Sequence, residues 1–306
     1  MPNNDAVLLV GFGAPEKQAD VPDFIRGILA GRKIPESRVA EVAHHYETIG
    51  GGSPYNRCTL ALEKALAARL AADPETAGMR VYTGMRQWHP YLADVARNMK
   101  DDGVRSARAI VLAPHRCEAS WERYLGAVRS ACEPLGADAP SISFNAPWHG
   151  DPLFAEAVSD RAEAALARLP SEIHAKTELI FTAHSIPVAM QGAGAYADEF
   201  RASAAAAAAR LGHPHFQLAY QSRSGAPGDA WLTPSIEEAL EKSAASGAKA
   251  AVVVPVGFLC DHVEVLFDLD VEAAARAKAL GLGLARAGTV GDHPAFVSLL
   301  ARLATA

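Results

Sequence analysis

An α/β fold is what the 306-residue sequence predicts: two similar doubly wound domains, each a parallel sheet covered by helices in the Rossmann or flavodoxin manner. Short apolar runs rich in Val, Ala and Leu recur between helix-length amphipathic stretches, the rhythm of βαβ units in a parallel sheet. That rhythm is run through twice, with no visible sequence identity between the halves. The length is also sufficient for two domains, each able to bury its own core.

In order, the first strand covers 7–12 and ends in G-F-G-A-P. A helix over 20–30 follows, and 57–71 forms an amphipathic helix rich in Ala and Leu. Between them H-H-Y-E-T-I-G-G-G-S-P reads as a turn-rich loop. Strands over 80–83 and 109–113 alternate with helices over 91–100 and 119–132, and a strand over 141–145 closes the first half. The second half runs helix 152–168, strand 178–182, helix 195–211, strand 216–220, helix 235–246 and strand 250–256. An acidic helix comes next, then a short strand over 283–287 and a last helix after Pro294. The Ala-rich stretch 202–209 is a strong helix former. The expected division is 1–147 and 148–306, with the last helix, about 294–304, crossing back to the first.

Half of the chain is hydrophobic and the net charge is −6, a globular composition that argues against an extended nucleic-acid surface. No run approaches the length of a membrane span, and the first ten residues lack the basic and apolar regions of a secretory signal. Cys58, Cys117, Cys132 and Cys260 form no C-x-x-C pair, so neither a disulfide framework nor a zinc cluster is indicated. A reduced, cytoplasmic protein is the expectation. Gly11-x-Gly13 and Gly192-x-Gly194-x-x-Ala197 are weak matches to a dinucleotide fingerprint, the first followed by Pro15 and Glu16, the second not placed directly after a strand.

Residues 251–272 hold the densest signal. Their first half is a buried-strand run, broken at Gly257. Asp261, Glu264, Asp268 and Glu272 then fall three, four and four apart, one acidic stripe on a helix, with Val263, Leu266 and Phe267 opposite. Like charges at this spacing repel. A solvated face is the ordinary reading of such a run; its start just past a core strand, where open α/β sheets bind ligands, favours a cation route. The same position past other strands is held by Phe12, Arg86, His115, His149, His184 and Gln221. A strand-end histidine is as often a structural, backbone-bonded group as a functional one. His184, within I-F-T-A-H-S-I-P, ends a buried strand at a tight exit turn. A neutral imidazole facing a carboxylate suits a borderline divalent ion such as ferrous iron, and the lack of thiolates suits an ion that must leave again.

F-T-A-H-S-I-P, Y-Q-S-R-S-G, W-L-T-P and V-P-V-G-F-L-C-D-H-V-E-V-L-F-D-L-D-V-E, in that order, resemble ferrochelatase. L-L-V-G-F-G-A-P, Y-E-T-I-G-G-G-S-P, M-R-Q-W-H-P-Y and G-D-H-P-A-F-V-S-L-L-A extend the likeness over nearly the whole chain. The branch from Gram-positive and related bacteria, which metallates coproporphyrin III, is most similar through F-G-A-P-E, A-G-R-K-I-P and H-P-Y-L-A-D. The resemblance implies a chelatase-like fold, ferrous iron as substrate and a porphyrin as partner, with His184 and Glu264 as the catalytic and metal pair. It implies Asp268 and Glu272 as an outer metal relay, and Phe12, His45, Tyr46, Ser53 and Tyr124 as porphyrin-binding. Phe12 stands where some relatives carry an iron-binding tyrosine, and Leu29 where some carry an arginine. No cysteine follows Cys260, so no iron–sulfur cluster and no permanently bound cofactor are expected. Phe12, Tyr46 and Trp88 equally fit plain core packing, and Ser53 fits a turn. Protoporphyrin IX is the alternative substrate, and a non-catalytic tetrapyrrole-binding protein the alternative class. Which of His184 and Glu264 takes the pyrrole protons stays open, because a general base is assigned by geometry first. Arg26, Arg32, Lys33, His45, Arg86, Arg116 and Arg123 are the candidate propionate donors.

Overall fold

Two four-stranded parallel sheets organise the computed structural model, which describes residues 4–28, 36–224 and 228–306. In the first unit β1 (Ala6–Gly11) is buried along its whole length, as an A-V-L-L-V-G run must be when helices cover both faces. It is followed by α1 (Val21–Ile28), α2 (Glu36–Thr48), α3 (Tyr55–Ala71), β2 (Arg80–Met85) and α4 (Leu92–Asp101). Then come β3 (Ser106–Val111), a π-helical turn (Glu118–Glu122), α5 (Arg123–Cys132) and β4 (Ser141–Phe144). The strand order is β2-β1-β3-β4.

The second unit holds α6 (Pro152–Leu166), β5 (Thr177–His184), α7 (Ala193–Arg210), β6 (Gln217–Gln221), α8 (Ile236–Ala245) and β7 (Ala250–Val254). After α9 (Val263–Phe267), a π-helical turn (Asp268–Ala273) and α10 (Ala274–Ala279) comes β8 (Gly283–Arg286). Its order, β6-β5-β7-β8, repeats that of the first unit. Strand order reverses between β1 and β3 and between β5 and β7, and crevices outside the carboxyl ends at such reversals are where this fold binds ligands.

Caps fix several of these helices. Asp151 accepts from the Leu153 amide at the start of α6, and Ser235 and Glu238 form a reciprocal capping box on α8. α11 (Pro294–Thr305) begins at Pro294 with His293 as its cap.

The chain does not divide contiguously at 147/148. One unit comprises Met1–Ala113, Ala119–Pro147 and Gly291–Ala306, the other Pro114–Glu118 and Trp148–Val290. Within the second unit the 114–118 segment is held by Glu199, whose carboxylate accepts from the Arg116 amide at 2.8 Å and from its guanidinium at 2.8 and 2.5 Å. Within the first, α11 packs on α3 and β3.

Three expectations need correction. His44, His45 and Tyr46 lie on α2, not in a loop, because the glycines begin only at Gly50. There the Gly51 amide donates to Tyr46 O and the Gly50 amide to Glu47 O, a Schellman closure that needs the positive φ of Gly50 (105°). Asp261 lies outside the acidic helix, which starts after His262. And the buried row on that helix is Val265, Leu269, Ala273 and Ala277; of the expected set Phe267 is buried, while Val263 and Leu266 are only half-buried. The residues of that row repeat every four positions, as do Glu264, Asp268 and Glu272. An α-helix has 3.6 residues per turn, so a four-residue repeat drifts around it; the wider π turn at 268–273 brings both rows back into line.

Candidate functional site

In the second unit the site grows from the ends of β5 and β7. Gly257 follows β7, and its amide donates to Thr182 O at 3.0 Å. A Cβ there would stand 2.6 Å from Ala183 Cβ and 2.7 Å from Ala183 Cα, so only glycine lets this segment lie against the end of β5. The chain then reaches His262, whose Nδ1 accepts from the Glu264 amide at 3.3 Å and caps α9. Glu264 thereby meets His184, with Oε1 to Nε2 at 3.5 Å.

The surroundings determine the state of this pair. His184 Nδ1–H donates to the Ser185 carbonyl, which can only accept; Nε2 is therefore the nitrogen left for an ion or a proton. Tyr196 Oη donates to His184 O at 3.0 Å, and Gln221 Nε2 to Glu264 O at 2.8 Å. Burial alone would favour neutral imidazole, but the charge of Glu264, its hydrogen bond, the Ser185 carbonyl and Asp268 outweigh it and raise the pKa to about 8. Burial pushes the Glu264 carboxyl up, and His184, with His262 helping, pulls it well below the usual range. The two side chains keep 30% and 42% of their surface open, so water screens part of this attraction.

Asp268 lies one repeat along. Burial first, then the charge of Glu264, lifts its pKa to about 7; Glu272 adds to the rise, while Ser222 and His184 oppose it. The Ser222 hydroxyl donates to Asp268 Oδ2 from a backbone held at φ 63°, an uncommon conformation for serine. Ser222 sits inside Y-Q-S-R-S-G and was visible there as motif, not as role. Tyr196 and the capping action of His262 carried no sequence signal.

The other strand-end histidines have structural places. His115 is 1% exposed, its Nε2 is 3.1 Å from Ser203 Oγ, and burial followed by His149 lowers its pKa to about 3. Ser203 donates to His149 O, and His149 Nδ1 lies 3.6 Å from Glu199. Arg116 is engaged by Glu199, whereas Arg26, 55% exposed, meets Asp23 and Glu36 only in loose surface pairs. Leu29, Arg32 and Lys33 lie outside the described residues.

In the first unit Phe12 follows β1, its amide donating to Tyr55 Oη at 3.0 Å. Phe24 joins Phe12 and Tyr46 edge-on, at 6.3 and 6.5 Å between ring centroids. Tyr46 and Ser53 are 2% and 1% exposed, and Ser53 Oγ accepts from the Tyr55 amide in a turn; as placed, both offer little surface to a ligand. His45 is half-buried on α2, and burial lowers its pKa. Arg86, just past β2, has its guanidinium 5.4 Å from the Phe12 ring and 4.9 Å from the Tyr124 ring. Its buried Nε has no hydrogen-bond partner among the described residues.

Among the described residues no group of three or more His, Cys, Asp and Glu could hold a metal ion, and no helix is long and apolar enough to cross a membrane. Comparison with known proteins fits this geometry. A ferrochelatase of Rhodopirellula baltica is 37% identical over 304 residues, covering 99% of this chain and 86% of its own. A coproporphyrin III ferrochelatase of Frankia alni is 42% identical over 313 residues, covering 98% and 79%. Among solved structures, SirB from Bacillus subtilis with Fe3+ superposes with a TM-score of 0.62 at 12% identity, over 97% of this chain and 93% of that one, which shows a shared fold. The family model described as Ferrochelatase matches residues 4–306, and the chain belongs to the ferrochelatase family.

Proposed function

We propose that the chain inserts ferrous iron into coproporphyrin III, with His184 and Glu264 as the inner metal site and Asp268 and Glu272 as the outer relay. The observation that carries this reading is the His184 Nε2–Glu264 Oε1 pair, 3.5 Å apart past the β5 and β7 ends. Two protein donors leave most of an ion's coordination sphere to water and then to pyrrole nitrogens, as an ion in transit requires. An incoming dication replaces the proton the pair now shares, and neutral His184 presents a lone pair on Nε2. Metal insertion also releases two pyrrole protons. Glu264 takes up a proton poorly beside a charged imidazole; once His184 is neutral, His184 is the stronger base and is assigned that role. Asp268, whose proton is retained by burial and the charge of Glu264, binds a cation at the cost of that proton.

Phe12, with Tyr124 and Arg86 beside it, supplies aromatic surface and a buried positive charge suited to a macrocycle edge bearing carboxylates. The coproporphyrin III relatives support the choice of substrate, since that ring carries four propionates against two in protoporphyrin IX. Anaerobic assays with ferrous iron and each porphyrin, in matched detergent, test it. Higher kcat/KM for coproporphyrin III, with a gap that salt narrows, is the expected result. Faster metallation of protoporphyrin IX overturns the substrate, and tight porphyrin binding without metallation of either overturns the activity.

A further inference from the structure

Arg286 ends β8 and uses every N–H of its guanidinium. Nε and Nη2 donate to the two oxygens of Asp270 at 2.6 and 2.9 Å. Nη1 and Nη2 donate to the two oxygens of Asp261, both at 3.2 Å, and Nη1 also reaches Ala287 O at 3.2 Å. The arginine side chain is 15% exposed, against 26% for Asp261 and 40% for Asp270.

The two carboxylates it holds bracket Glu264 and Asp268. Asp261 lies before the start of α9 and Asp270 within the π turn. Between them the helix makes its first turn and widens into the π turn, so the two anchored carboxylates stand on either side of its change in pitch. Five carboxylates occur within twelve residues, and their mutual repulsion acts to spread the segment. Arg286 neutralises Asp261 and Asp270, while His184 and Ser222 engage Glu264 and Asp268.

We infer that Arg286 is a positioning residue for metal delivery: by clamping Asp261 and Asp270 from β8 it sets the course of the segment that presents Glu264 and Asp268. The inference rests on the iron-insertion reading above. It separates the acidic segment into two carboxylates that serve as anchors and others that serve the ion. A lysine at 286 keeps the charge but is a point donor that cannot grip both carboxylates in a planar fork.

The test compares wild type with Arg286→Lys, Arg286→Ala and Asp270→Asn in the full chain, measuring KM for ferrous iron, KM for porphyrin, kcat and Tm. R286K and D270N should raise the iron KM about tenfold, the equivalent of one well-made charge-assisted bond, and leave the porphyrin KM within about twofold. Added methylguanidinium should recover part of the iron KM in R286A. An unchanged iron KM in both R286K and D270N overturns the inference, as does a proportional rise in both KM values with a lowered Tm. If R286A does not fold, R286K and D270N decide alone. If wild type inserts no iron, the functional reading fails, and titration with Co2+ judges the clamp: equal Kd in wild type and R286K overturns it.

Discussion

Gly257→Ala puts the site geometry to its sharpest test. The added methyl would stand 2.6 Å from Ala183 Cβ and 2.7 Å from Ala183 Cα, where ordinary contact begins at 3.4 Å, so backbone must separate by roughly 0.8 Å. Neither neighbour is a flexible side-chain tip that can swing aside. Overpacking of this kind costs about 1–3 kcal/mol, which should appear as a moderate fall in Tm with folding retained. The more telling effect is local, because Ala183 precedes His184 and Gly257 begins the segment leading to Glu264. A displacement near 1 Å at reacting groups costs on the order of a hundredfold in rate. Stopped anaerobic assays following porphyrin absorbance, with Tm measured by circular dichroism, give both numbers. A variant that folds with a lowered Tm yet keeps wild-type kcat/KM for iron would refute the argument that this contact sets the His184–Glu264 distance.

Other outcomes follow from the same structure. His184→Ala and Glu264→Gln should each lower kcat by at least about a hundredfold, the range for loss of a proton-transfer group, while a fluorescence titration finds porphyrin affinity nearly unchanged; loss of porphyrin binding would show a folding defect instead. Protonated His184 cannot accept an ion, so kcat/KM for iron should rise with pH and level off above about 8; a flat profile from pH 6 to 9 contradicts this, and E264Q should move the inflection to lower pH because the Glu264 charge holds it up. Neutralising Asp268 and Glu272 together should raise the iron KM more than the porphyrin KM, and equal rises would argue against a relay. A folded Asp268 that keeps its proton up to about 7, against an ordinary 3.8, makes the native state lose stability as pH climbs between those values; Asp268→Asn should therefore raise Tm at pH 8.5 and change it little at pH 4.

The strands were legible because their chemistry is unambiguous. A-V-L-L-V-G and A-A-V-V-V have no polar alternation and can only be central strands covered on both faces. His184 is legible for a related reason, since it ends such a run; Glu264 is legible only as one of the acidic stripe, and the resemblance to ferrochelatase pairs it with His184. The acidic helix departs in phase from a 3.6-residue period at Val263 and Leu266, because the segment folds with a π turn that the sequence does not announce. Tyr46 was read as a loop residue from the glycines after it, yet one glycine closing a helix looks the same in sequence as one opening a loop. Ser222, Tyr196 and the anchoring of Glu199 to Arg116 depend on contacts between residues far apart in the chain, and no local pattern encodes those.

The interleaving of the chain bears on how this protein can be taken apart. The backbone passes from one unit to the other four times, at 113/114, 118/119, 147/148 and 290/291. A fragment cut at 148 would carry α11 away from α3 and β3, baring Phe296, Leu299 and Leu300, all 0% exposed in the whole chain. The same fragment would lack Arg116 and strip the buried carboxylate of Glu199 of three hydrogen bonds, leaving only His149 nearby, a costly state in a low-dielectric interior. Expressed alone, such a piece should be recovered as aggregate, and the complementary fragment 1–147, lacking the helix that fills its core, should fare no better. Co-expression of the two halves should restore solubility to both. A split point placed at the apparent midpoint therefore parts α11 from α3 and β3 in one unit and Arg116 from Glu199 in the other.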